Sequence, residues 1–166
     1  MAGGRLALDF INTADWSAEG VVVHEKIVDS ADLAVWLQRV GLPAARLPDD
    51  IDELHQFRLD LRKVIDDGTS DQVQKLLGDA QALDQDAPPD AQPLTALLAV
   101  SALSMLIDPR ERDRIKMCPG ADCGWFFADE TRNRRRKWCL METCGNRAKS
   151  VRHYAKTVKA KVVPEA

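Results

Sequence analysis

The chain has 166 residues, enough for one well-buried domain and a small attached module, since domains commonly run to about 100–150 residues. Hydrophobic content of 45% and charged content of 30% are ordinary for a soluble globular protein, and the longest apolar stretch, Leu94 to Ile107, is too short for a membrane-spanning helix of roughly 20 residues. The net charge of −3 conceals a division: residues 1–109 hold 8 Lys or Arg against 19 Asp or Glu, whereas residues 110–161 hold 15 against 6.

From the N-terminus, "LALDFINT" alternates Leu6, Leu8 and Phe10 with Ala7, Asp9 and Ile11, which is strand periodicity, and the β-branched "VVVHEKI" at residues 21–27 supplies a second strand. A helix capped by Ser30 follows, with Leu33, Trp36, Leu37 and Val40 on one face and Gly41 and Pro43 as its stop. A longer helix starts near Pro48 to Asp50 and runs to Asp67, carried by Ile51, Leu54, Phe57, Leu61, Val64 and Ile65 at helical spacing. Gly68 ends it, and Thr69 or Ser70 caps a short helix bearing Val73, Leu76 and Leu77. Asp84 to Pro93 reads as a proline-broken loop. The uniformly apolar helix Leu94 to Ile107 then occupies the centre of the core, with Asp108 and Pro109 as its boundary. The expected fold class is therefore α+β, mostly helical: an acidic domain over residues 1–109 with a small β element, then a basic module over residues 110–166.

All four cysteines fall in that module. Cys118 and Cys123 form one pair, Cys139 and Cys144 another, each separated by four residues. Two such knuckles can bring four thiolates around one Zn²⁺ ion, whose tetrahedral sites accept four sulfurs. The start "MAGGRLALDFINTADW" lacks a secretory pattern, which points to a reducing cytoplasm where metal ligation outranks disulfides. Two disulfides or free thiols are the alternatives. Four protein ligands close the coordination sphere, so the metal is expected to be structural and the chain not an enzyme. His24, His55 and His153 are isolated, without a nucleophile partner. Metal binding should drive folding of a segment whose own core is little more than Trp125, Phe126, Phe127, Trp138 and Met141.

The cations around the cysteines exceed what two or three thiolate counterions require. Arg132, Arg134, Arg135, Arg136 and Lys137 precede the third cysteine, and Arg147, Lys149, Arg152, Lys156, Lys159 and Lys161 follow the fourth. From Cys144 onward a helix with a modest apolar stripe at Ala148, Val151, Ala155 and Val158 can present these cations to phosphates and bases. A solvated basic helix would show the same charge run.

With the cysteine pairs, the intervening "FFADETRNRRRKWC" and the tetrapeptide Cys144, Gly145, Asn146, Arg147, residues 114–157 resemble a CGNR zinc finger. "LALDFINT" and "ADLAVWL" resemble the ABATE domain that precedes such fingers, a stress-response transcription regulator family. The resemblance implies one structural zinc on Cys118, Cys123, Cys139 and Cys144, Asn146 and Arg147 as a signature pair, and a DNA-binding finger; the charge run makes Arg132, Arg134, Arg135, Arg136, Lys137, Arg147, Lys149, Arg152 and Lys156 the candidate contacts, with support of the zinc thiolates as the other role open to Arg147. RNA binding, with Trp125, Phe126, Phe127, Trp138 and Tyr154 as stacking surfaces, and a redox-responsive protein-interaction module are the competing readings. A homodimer and a small-molecule effector are open; for the latter, Asp9, Asn12, Thr13, Arg58 and Arg62 are the polar residues that could line a pocket.

Overall fold

The apolar helix α5 (Leu94–Ile107) is the axle of the structure, a computed structural model that describes residues 2–162, the side chains of residues 89 and 158–162 apart. Its buried residues, among them Leu94, Leu98, Ala99, Ala102 and Met105, point in several directions, so α1 (Leu6–Ile11), α3 (Ile51–Asp67) and α4 (Ser70–Ala80) all pack against it. The architecture is α+β and mostly helical, with two antiparallel hairpins: β1 (Ala14–Trp16) with β2 (Val22–Glu25), and β3 (Ile115–Met117) with β4 (Phe126–Ala128).

The segment expected to be the first strand is helix α1. Alternation would put Ala7 and Ile11 on an outer face, but both are wholly buried, as is Leu8. An apolar run of this length buried on all sides carries no usable period, and tertiary packing decides its form. The partner of β2 is instead Ala14–Trp16, with Ala14 opposite Glu25 and Trp16 opposite Val22.

Helix ends follow carboxylate and hydroxyl caps. In α2 (Ser30–Val40) the cap is Asp29 rather than Ser30: its carboxylate accepts from the Ala31 and Asp32 amides at 2.8 and 3.0 Å, and the negative charge suits the helix N-terminus. Gly41 closes that helix at φ 81°, a left-handed position. Asp50 caps α3, and Thr69 with Gln72 forms a reciprocal capping box on α4. Asp108 caps the single turn α6 (Pro109–Arg112), which leads directly into β3.

The cysteine-bearing segment is built into the body. Successive strand residues face opposite sides, so Phe126 and Ala128 of β4 enter the main core while Phe127 enters a separate cluster with Cys118, Cys139 and Cys144, against which Trp138 and Leu140 pack. The expected miniature core therefore loses Phe126, and Met141, 44% exposed, contributes little. The Asn12 amide imitates a neighbouring strand, donating to the Phe126 carbonyl at 2.7 Å and accepting from its N–H at 3.2 Å. Buried Arg62 of α3 lies between the rings of Trp16 and Phe126, at 4.5 and 4.7 Å, and donates to the Gly124 carbonyl at 2.7 Å. The Gly124 N–H donates to the Trp16 carbonyl, and a Cβ on Gly124 would lie 2.1 Å from the Ser17 oxygen, so this crossing tolerates no side chain. The Ala128 N–H donates to the Gly3 carbonyl at 2.7 Å, laying the N-terminal segment beside β4.

Candidate metal centre and its basic surface

Each pair of cysteines is presented by a turn whose shape its residues dictate. Cys118 continues the second hairpin, its N–H bonded to the Trp125 carbonyl at 2.8 Å, and the chain turns through Pro119–Asp122, with Asp122 at φ 55°, back to Cys123. Gly120 lies under the sulfurs: a Cβ there would be 3.1 Å from Cys144 Sγ. The second pair spans a wide turn over Met141–Gly145, closed by the Gly145 N–H on the Leu140 carbonyl at 3.2 Å. The Asn146 amide donates to the Glu142 carbonyl at 3.1 Å, which fastens this turn to α7 (Asn146–Val162).

The four sulfurs lie within 4.8 Å of one another, with Cys123 to Cys139 at 3.7 Å and Cys139 to Cys144 at 3.6 Å. A tetrahedral zinc with bonds of about 2.3 Å requires sulfurs about 3.8 Å apart, so the cage has the right size. The Cys139 N–H points at Cys118 Sγ at 3.5 Å, the backbone support that sulfur ligands commonly receive. Charge makes the same demand. Hydrogen bonding, first from Cys139, lowers the Cys123 thiol to about 5, while the neighbouring Cys123 sulfur raises Cys139 and burial raises Cys144 to about 11. Four sulfurs this close cannot all ionise unless a cation sits among them. The four cysteines form a zinc-binding site, and with every position taken by sulfur it holds one structural ion.

The arginine segment beside it is held by a residue that the sequence reading passed over. Asp129 is fully buried; its Oδ2 accepts from Lys116 Nζ at 2.6 Å and its Oδ1 from the Thr131 N–H at 3.0 Å and hydroxyl at 2.5 Å. Burial disfavours the charged form, but Lys116 and Thr131 outweigh it and hold the carboxyl down at about 2. The same Lys116 ammonium donates to the Arg134 carbonyl at 2.7 Å, and the Arg135 N–H donates to the Thr131 hydroxyl at 3.0 Å. One buried carboxylate thus fixes the path of residues 131–136. The available signal was Asp129 two residues before Thr131, the spacing of an Asx turn.

The nine candidate nucleic-acid contacts separate on this framework. Arg136 is turned inward: its guanidinium stacks on Phe127 at 4.5 Å and donates to the carbonyls of Ala2, Ala128, Trp138 and Cys139. Arg136 borders the groove described next, but its guanidinium is committed to these part-buried carbonyls rather than free to reach a phosphate. Arg134, at φ 51°, pairs loosely with Asp113 at 3.4 Å. Arg132, Arg135, Lys137, Arg147, Lys149, Arg152 and Lys156 are exposed. Arg132, Arg135 and Lys137 line a groove of about 670 Å³ with Trp138 and Met141, and Lys137 also borders a recess of about 330 Å³ with Arg147 and Arg152. The two concavities therefore share the Lys137–Trp138 ridge over the metal centre.

The expected basic helix is α7. Every side chain from Lys149 to Thr157 is exposed, including Val151 at 64% and Tyr154 at 73%, so Val151 and Ala155 of the apolar stripe cover no core among the described residues. Val158, Lys159 and Lys161 lie outside the described side chains. Of the proposed pocket residues, Arg58 is consumed by Glu25 and the Thr13 hydroxyl, and Arg62 by the joint described above, whereas Asp9, Asn12 and Thr13 do border one cavity.

Comparison with known families divides the chain near the start of the second hairpin. The ABATE model, described as "Putative stress-induced transcription regulator", matches residues 4–117, and the CGNR zinc finger model matches residues 114–157. No curated protein gave a significant match.

Proposed function

The chain belongs to the ABATE family, and from that premise we propose that its zinc centre organises a basic surface that binds duplex DNA in transcription regulation. The observation that carries this reading is α7. An exposed helix bearing Lys149, Arg152 and Lys156 at spacings of three and four presents these cations on one side, with Arg147 and the Arg132–Lys137 groove joining the surface at its root. A helix fits the roughly 12 Å major groove, where arginine reads guanine and the remaining cations meet phosphates. The zinc ion holds the root of this helix through Cys144; its closed sphere gives it a shaping role rather than a catalytic one.

The test is duplex binding by the zinc-loaded full chain, followed by fluorescence anisotropy over a salt series. If the seven exposed cations outside the Arg134–Asp113 pair engage phosphate, log Kd changes with log salt at a slope of about 6, a loss of roughly 10³- to 10⁴-fold between about 50 and 200 mM. Arg135→Gln should reduce the slope by about 1 at unchanged stability, whereas Arg136→Gln should chiefly lower stability. Absence of duplex binding by the metal-loaded chain at low salt overturns the proposal.

A further inference from the structure

We infer that the cleft between α2 and the cysteine-bearing segment binds a small organic carboxylate with a flat aromatic body. The cavity measures about 580 Å³, within the range of small-molecule sites. Its walls come from both parts of the chain: Trp36, Arg39 and Val40 from α2, and Trp125 and Leu140 from the cysteine segment.

Arg39 carries the argument. It is exposed, and its guanidinium makes neither an ion pair nor a hydrogen bond among the described residues. The other polar side chains of the cleft are engaged or out of reach. Lys26 Nζ pairs with Asp15 at 2.5 Å, donates to the Asn12 carbonyl at 3.3 Å and lies over the Trp125 ring. The Asn12 amide serves the Phe126 backbone, and the Thr13 hydroxyl lies between the Phe10 carbonyl and Arg58. Asp9 is buried, with one oxygen on the Gly3 N–H and the other closed off from solvent. Asp32 accepts from the Val28 N–H in the first turn of α2, where the positive end of the helix offsets its charge. Arg39 lies two turns further on, about 10 Å along the axis, and the two side chains do not pair. At the Arg39 end the cleft therefore offers an uncompensated cation.

The groups around that cation select its partner. A guanidinium holds a carboxylate through two parallel N–H···O bonds, which fixes orientation as well as charge. Trp36 stands on the same side of α2, one turn before Arg39, and packs against Phe10 with ring centres 5.4 Å apart. Trp125 borders the same space, with its indole N–H on Asp15 at 3.2 Å. Both indoles are thus held in place before a ligand arrives, which spares binding the cost of ordering them, and their faces stack on flat rings. An inorganic anion would use Arg39 and leave the indoles uncovered. Because Leu140 follows zinc ligand Cys139, an occupant would touch the body and the metal module together. This inference goes beyond DNA recognition and does not depend on it.

The experiment is calorimetric titration of the zinc-loaded full chain, without nucleic acid, using indole-3-acetate as probe. Tryptamine, a cation with the same ring, and acetate, the same charge without the ring, are its counterparts. Indole-3-acetate should bind with a Kd on the order of 1 mM or tighter, and both counterparts at least roughly tenfold more weakly. Arg39→Met, which keeps most of the stem, should weaken indole-3-acetate at least roughly tenfold, with zinc content and Tm unchanged because the guanidinium has no internal partner. Val35→Glu, at a 59% exposed position bordering the cleft, sets a carboxylate four residues before Arg39, the favourable order for a helix ion pair. It should compete for the guanidinium and weaken the probe with Arg39 still present. Tryptamine or acetate binding as well as indole-3-acetate, probe binding unaffected by either variant, or no saturable heat up to about 10 mM would overturn it.

Discussion

Replacing Arg62 by methionine isolates the joint between the helical body and the metal module. Methionine retains most of the stem volume, so the change removes the guanidinium without opening a large cavity. Three contacts disappear: the bond to the buried Gly124 carbonyl and the stacking on Trp16 and Phe126. Orphaning a buried carbonyl costs about 1–3 kcal/mol, and each stacked face contributes about 1 kcal/mol. Burial lowers the Arg62 pKa, so the cation itself is held at a cost, and its removal returns part of the loss. The net expectation is a destabilisation of about 2–3 kcal/mol, or a Tm lower by roughly 4–12 °C for a chain of this size. Thermal unfolding by far-UV circular dichroism measures it, and amide exchange at Gly124 and Trp125 should accelerate in parallel. A Tm within about 1 °C of the parent, with exchange at those amides unchanged, would refute the reasoning that this side chain joins the two parts.

Gly124→Ala and Gly145→Ala should differ sharply, because the first Cβ meets the Ser17 backbone oxygen whereas the second, at 2.4 Å, meets the Sδ of an exposed, flexible methionine. The expected losses are about 2–4 kcal/mol and under about 1 kcal/mol by chemical denaturation. Glu25→Gln should cost about 3 kcal/mol by stranding buried Arg58, whose guanidinium both Glu25 oxygens receive. Burial opposes the Glu25 charge, but Arg58 and the Ile27 amide outweigh it and hold its carboxyl below the usual range. The ion pair's stability is therefore present above the ordinary glutamate pKa and lost as pH falls through the lowered value; the variant should lack this dependence in acid unfolding curves. Stripping the metal with a chelator should lower the melting of the whole chain rather than create an independent second transition, since Phe126 and Ala128 sit in the main core. Differential scanning calorimetry distinguishes the two outcomes.

How much of this could be read in advance depended on whether the signal was local. Helices α2 to α4 were legible because their apolar residues recur at helical spacing and their ends carry Asp, Thr or Gly, and α5 because an apolar run of 14 residues is too long for a strand. The four sulfurs were legible because two pairs of cysteines, each at short spacing, are a pattern of metal ligands. Helix α1 was not, because Ala7 and Ile11 are buried by elements far away in sequence, and full burial erases the period. Arg135 and Arg136 are adjacent and chemically identical, yet one is exposed and the other is held by carbonyls that include Ala2 and Ala128. Only the folded chain brings those acceptors together. Of the polar residues that could line a pocket, Asp9, Asn12 and Thr13 border one, while Arg58 and Arg62 went to internal partners no local pattern announces.

The most direct measurement is zinc content combined with thiol counting on the reduced full-length chain after exhaustive dialysis. The four-sulfur cage predicts one zinc per chain, with Cys118, Cys123, Cys139 and Cys144 unreactive until a chelator is added, and loss of both properties in Cys139→Ser. Four freely reactive thiols with no bound metal, or two disulfides in place of the ion, would contradict it.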